Sequence, residues 1–220
     1  MKKIIWVFGE SAAGKMTLIN KLYNQDEETL DFFNMSNKKI CTSRVTIKEK
    51  DNETYTDVVD NNIYDDSLMD EDNLYFNREA AKRRRSYILY DVDRFINSDN
   101  DILLIKGQIN DLRNTRGNTA NYFLEKYGYM KDIQIEVIIL QVTDIEELRR
   151  RINTKKWFIR ITDQVEKEKL LRTIPLKQES HKDEVVELFG KYNIPIYTFE
   201  SLDNSYQLTD IINNNSKKDL

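Results

Sequence analysis

The sequence has one cysteine, one histidine, two prolines and six glycines in 220 residues. A single cysteine, Cys41, excludes an internal disulfide framework and a thiolate zinc cage, so a reducing, cytoplasmic setting is the expectation. No stretch of about 18 apolar residues exists to cross a membrane. The opening apolar run stops at Gly9, too early for the core of a signal peptide. With so little proline and glycine, asparagine and aspartate must supply most turns. The lone histidine, His181, sits in a charged segment and reads as surface decoration rather than as a general base, which needs a positioned partner.

What is present suffices for a packed domain. Hydrophobic residues make up 40% of the chain, which excludes wholesale disorder. The net charge of −4 and pI near 5.3 do not suit a general nucleic-acid binder. The charge is uneven, however. Acids crowd residues 49–72, whereas Lys82 to Arg85 and Arg149 to Arg151 are basic blocks. Four consecutive charges cannot share one helix face, so at least two of Lys82 to Arg85 are expected in solvent.

Short apolar runs alternate with helical patterns. Strands are expected over 3–8, 40–47, 55–59, 101–106, 133–142 and 194–199. Helices are expected over 15–24, 78–96, 120–127, 145–152, 162–171, 182–192 and 206–213. Three of the strands are apolar throughout, as in a sheet covered on both faces. The pattern predicts one α/β domain over 1–220, a doubly wound parallel sheet flanked by helices in three layers, without internal repeats.

The strongest motif lies between the first strand and the first helix. Gly9-Glu10-Ser11-Ala12-Ala13-Gly14-Lys15 matches G-x-x-x-x-G-K, the phosphate loop. Small residues let successive backbone N–H groups turn inward around phosphate oxygens, and the following helix aims its positive end at them. Lys15 adds a full charge. The next position usually carries a magnesium-binding hydroxyl but here holds Met16, whose thioether is a poor ligand for a hard cation; Thr17 follows. The expected cofactors are ATP and the magnesium that accompanies it. Arg44, Arg113, Arg116 and Arg149 to Arg151 are candidates for gripping phosphate, because the guanidinium fork matches its oxygens. The polar segment from Asn110 to Asn121 follows a strand's carboxyl end, where open α/β sheets bind ligands.

Beyond the loop, the chain resembles the guanylate kinases. Their phosphate loop is G-P-S-G-A-G-K-S-T-L; here it is Gly9-Glu10-Ser11-Ala12-Ala13-Gly14-Lys15-Met16-Thr17-Leu18. Thr42-Ser43-Arg44 matches the start of their T-T-R-x-x-R, with Ile47 in place of the second arginine. Glu49 to Tyr55 keeps the spacing of E-x-D-G-x-x-Y, with Asn52 for glycine. Asp72 to Phe76 is a variant of G-N-x-Y-G. Gln108 to Arg113 follows D-x-Q-G-x-R with glutamine for the acid, and Glu146-Glu147-Leu148 opens a segment like E-E-L-x-x-R.

The resemblance implies a P-loop kinase fold with an acceptor-binding insertion at about 40–75 and a lid at about 149–172. It implies that Lys15, Arg113 and Arg149 act on the transferred phosphoryl group. Gly9 to Thr17 would hold the nucleotide. Arg44, Tyr55, Asp66, Tyr75 and Gln108 would hold the acceptor, a nucleoside monophosphate. Two alternatives remain: a polynucleotide or modified nucleoside as acceptor, and an interaction module that has lost catalysis. Monomer and homodimer are both compatible.

Overall fold

The computed structural model describes residues 1–44, 78–112 and 118–213. The expected strand at 55–59 and most of the acceptor insertion lie outside them, as do Tyr55, Asp66, Tyr75, Arg113 and Arg116.

Six strands form one sheet: β1 (Lys2–Gly9), β2 (Ile40–Thr42), β3 (Ile102–Lys106), β4 (Ile133–Gln141), β5 (Ile196–Ser201) and β6 (Tyr206–Ile212). Their spatial order is β2-β3-β1-β4-β5-β6. The first five are parallel, and β6 runs antiparallel to β5 at the edge. The helices are α1 (Lys15–Tyr23), α2 (Glu27–Phe32), α3 (Arg78–Ile96), α4 (Ile109–Leu112), α5 (Thr119–Tyr127), α6 (Ile145–Asn153), α7 (Lys156–Ile159) and α8 (Gln164–Gly190).

The three layers follow from the period-two alternation of β1. Ile4, Trp6 and Phe8 pack with Ile88 and Val92 of α3, Phe123 of α5 and Phe189 of α8. Ile5 and Val7 face the other way, onto Leu18, Ile19 and Leu22 of α1 and Leu30 of α2. A third, smaller cluster joins Val142, Leu148 and Ile152 to Phe158 and Ile174, where α6, α7 and α8 meet beyond the end of β4. This is the three-layer α/β architecture of P-loop proteins, with the expected sheet covered on both faces.

Two expectations are corrected. The segment from Tyr206 is a strand, not a closing helix. It turns back through Leu202, whose N–H donates to the Ser205 carbonyl, and pairs along β5 in an antiparallel ladder. Its β-branched Thr209, Ile211 and Ile212 suit a pleated edge. The helices expected at 162–171 and 182–192 are one helix of 27 residues, α8, which contains Pro175. Proline removes one backbone donor and crowds the preceding turn. Burial of Ile174, Gln178, Val185 and Phe189 carries the helix through it.

Candidate functional site

The candidate site lies at the carboxyl end of β1, where the strand enters the Gly9–Gly14 loop. Gly9 has φ +142°, and a Cβ there would stand 2.4 Å from the Leu140 carbonyl oxygen of the neighbouring strand. Gly14, with φ +91°, starts α1; a Cβ on it would meet the Ser201 hydroxyl at 2.9 Å. Ala12 also has a positive φ, 70°, which alanine adopts only when its surroundings enforce it. The backbone is therefore bent tightly by neighbours on two strands, β4 and β5.

Lys15 folds back across this bend. Its Nζ donates to the carbonyl oxygens of Gly9 at 2.6 Å and Glu10 at 3.0 Å. Desolvation, and then repulsion from the Lys106 and Lys155 ammonium groups, lower its pKa to about 8, with the Glu10 carboxylate opposing them. An ammonium in this setting gains by exchanging two neutral carbonyls for a phosphate.

Glu10 has a partner that sequence spacing did not suggest. One carboxylate oxygen accepts from the Ser11 N–H at 2.9 Å, and the other lies 2.8 Å from His181 Nδ1. Only 13% of each side chain is exposed, so His181 is not surface decoration. Burial pushes the Glu10 pKa up. The hydrogen bond and charge of His181, the Ser11 N–H and Lys15 together outweigh it and leave the carboxyl below its usual range. Helix α8 sets this contact. Gln178, one turn earlier, accepts from the Val142 N–H at 2.9 Å and donates to the Val142 carbonyl at 3.0 Å. It thereby completes the backbone at the end of β4 and places His181 over the loop.

On one side of the loop lies a cavity of about 190 Å³ lined by Gly14, Thr17, Arg151, Lys155, Ser201 and Tyr206, among others. Arg151 donates to Glu147 at 2.6 Å, to the Ser201 hydroxyl at 3.0 Å and to its carbonyl at 2.9 Å. It is thus held beside Gly14. Arg149 instead bonds Glu146 one turn back on α6, and Arg150 bonds Glu147 and Asp203.

On the other side stand the end of β3 and the residues after it. The Gln108 N–H donates to Asp111 at 2.8 Å. Asp111 also takes two hydrogen bonds, each 3.0 Å, from Arg84 of α3, with both side chains almost wholly buried. The second of these donating nitrogens also reaches the Lys106 carbonyl. Of the basic block on α3, Arg84 is therefore a structural anchor. Arg85 stacks over Tyr122 at 4.0 Å, and Lys82 is exposed. At the edge, Arg44 Nε and backbone N–H both donate to Asp91, at 2.6 and 2.9 Å, where Ser43 also donates. Arg44 thus sits two residues beyond the end of β2.

A P-loop nucleotide normally arrives with magnesium, so the donors matter. Met16 offers sulfur, Lys106 at the end of β3 offers an ammonium, and Thr17 lines the cavity on the β5 side. The carboxylates of Glu10, Asp111 and Glu147 are occupied by His181, Arg84 and the α6 arginines. No group of three metal-ligating side chains exists among the described residues. These residues do not fit a protein-held magnesium.

The strand order and the bent loop define a P-loop-type α/β fold. Two solved structures are similar over 96% of the chain. One is from work on the PezAT chromosomal toxin-antitoxin system of Streptococcus pneumoniae, at 15% identity over 72% of that chain with a TM-score of 0.44. The other is YGR205w protein, at 10% identity over 91% of that chain with a TM-score of 0.40. With both scores below 0.5, the fold assignment rests on the topology and the loop themselves. No family model and no curated protein matches the chain.

Proposed function

We propose that this chain is an ATP-dependent phosphotransferase that moves the γ-phosphoryl group of ATP to a nucleoside monophosphate, like the guanylate kinases it resembles. The observation that carries the reading is Lys15: a partly desolvated ammonium at the mouth of a glycine-bounded bend, fastened only to backbone carbonyls that a phosphate would replace. The nucleotide's polyphosphate lies along Gly9 to Thr17. Its base enters the cavity beside Arg151, whose volume of about 190 Å³ is below the roughly 300–1,000 Å³ of a whole-ligand pocket and suits one end of a ligand.

Transfer spreads negative charge over the moving group, so positioning and positive charge supply most of the catalysis. Lys15 holds the β,γ end; Arg113 and Arg149 are assigned to the transferred phosphoryl group, Arg149 from a lid over about 149–172. The acceptor lies across the ends of β2 and β3, with Arg44 and Gln108 at its edges and Tyr55, Asp66 and Tyr75 from the insertion. An oxygen of the acceptor phosphate attacks the γ-phosphorus, the bond to the bridging oxygen breaks, and ADP leaves with the electron pair. A phosphate acceptor is already ionised near pH 7 and needs no general base. That agrees with a site whose one histidine is engaged by Glu10.

A coupled phosphotransfer screen with monophosphates, nucleosides and oligonucleotides tests this. Turnover with a monophosphate, lost by roughly a hundredfold or more in Lys15→Ala with the circular dichroism spectrum unchanged, is the expected result. Turnover only with nucleosides or oligonucleotides would replace the acceptor. Undiminished activity in Lys15→Ala would remove the site.

A further inference from the structure

The donor set around the loop points to a departure from the usual metal-assisted chemistry. It rests on the nucleotide-binding reading above and adds to it. Lys106 is the last residue of β3 and pairs in register with Val7 of β1, two residues before the loop begins. Adjacent parallel strands point register partners to the same face. Val7, Leu104 and α1 share one cluster, so Lys106 extends along the α1 side, where Lys15 begins that helix. The Gly107 N–H donates to the Val7 carbonyl at 2.9 Å, and an Arg84 nitrogen donates to the Lys106 carbonyl at 2.5 Å. The backbone that aims Lys106 is thereby fixed.

A strand-end acid in P-loop enzymes helps hold magnesium against the β- and γ-phosphates. Here the end of β3, the strand beside β1, carries a cation, and the position after Lys15, normally a metal-binding hydroxyl, carries Met16. Both departures act in the same sense: one removes a ligand and the other repels the ion. We propose that Lys106 takes magnesium's place in neutralising the β,γ-phosphates, so that the loop binds the metal-free nucleoside triphosphate.

Geometry and charge agree. Lys106 and Lys155 both act on the Lys15 ammonium, so three lysines converge near the loop. Each of the two disfavours the charge on Lys15, and a polyphosphate favours it. A magnesium ion brought in beside Lys106 would have to overcome it.

Calorimetric titration with ATP, in excess EDTA and again in excess magnesium, tests the proposal. The wild-type Kd is expected to be equal or tighter in EDTA. Lys106→Met is expected to bind at least tenfold more weakly in EDTA, and Lys106→Arg to bind as the wild type does. Lys106→Asp is expected to require magnesium, binding at least tenfold more tightly with it than without. Circular dichroism checks that each variant is folded. Wild-type binding that weakens tenfold or more in EDTA overturns the proposal while leaving the nucleotide site standing. Unchanged affinity in Lys106→Met, or in all three variants, overturns the role of Lys106. No binding under either condition overturns the nucleotide site and this inference together.

Discussion

At the residue scale, Lys15 and Glu10 decide how the loop behaves. Lys15 titrates near pH 8 in the free protein because burial and two neighbouring lysines disfavour its charge. A group with a lowered ammonium pKa is charged below that value and neutral above it. Nucleotide binding that depends on the ammonium is therefore flat around neutral pH and is lost as pH rises through about 8. Measured by calorimetry, ATP affinity is expected to be about tenfold weaker at pH 9 than at pH 7, the change in the protonated fraction across that pKa. Lys15→Arg should remove this slope, since guanidinium does not titrate there. A flat profile in the wild type would mean that Lys15 gives no charge to the ligand. The loop itself was legible from spacing alone: Gly9, Gly14 and Lys15 form the bend that their types demand. The Glu10–His181 contact was not, because its partners lie 171 residues apart and no local pattern links them.

At the scale of elements, two buried polar devices hold the strands' carboxyl ends in place. The Arg84–Asp111 pair ties α3 to the short helix after β3. Removing one partner leaves a buried charge without compensation, which costs about 3–5 kcal/mol. Arg84→Met is expected to lower the urea midpoint accordingly, and a double variant with Asp111→Leu to recover part of the loss. Equal midpoints for Arg84→Met and the wild type would show the pair to be inert. Gln178 bonds both backbone groups of Val142. Gln178→Ala should cost about 1–3 kcal/mol through unpaired buried groups. It should also weaken ATP binding by displacing His181 from Glu10. A stability loss with unchanged ATP affinity would separate the two roles.

These elements also mark where sequence reading stopped. The apolar strands β1, β3 and β4 and the helix from Arg78 to Ile96 stand out because burial on both faces, or on one stripe, leaves a strong period. The edge strand β6 and the unbroken α8 did not. Tyr206 to Ile212 alternates only partly, and its pairing is set by β5. Pro175 reads as a boundary unless the packing of Ile174 and Gln178 is known. Within α3, the consecutive charges of Lys82 to Arg85 carried no sign of which one faces inward; Asp111, 27 residues on, selects Arg84.

At the scale of the whole molecule, a sheet in the order β2-β3-β1-β4-β5-β6 brings three kinds of surface to one end. The loop follows β1, in the middle. A cavity with Arg151 lies towards β5. Lys106, Gln108 and Arg44 lie towards β2. Lys106 and Lys155 both act on the Lys15 ammonium there, so the middle of this surface favours an anion. None of the described helices is long and apolar enough to cross a membrane.

The measurement closest to the centre of this account is a calorimetric titration of ATP, and in parallel GTP, into the purified chain. The account predicts saturable binding of about one nucleotide per chain, abolished in Lys15→Ala. Absence of heat with both nucleotides up to millimolar concentration, with and without magnesium, would contradict it.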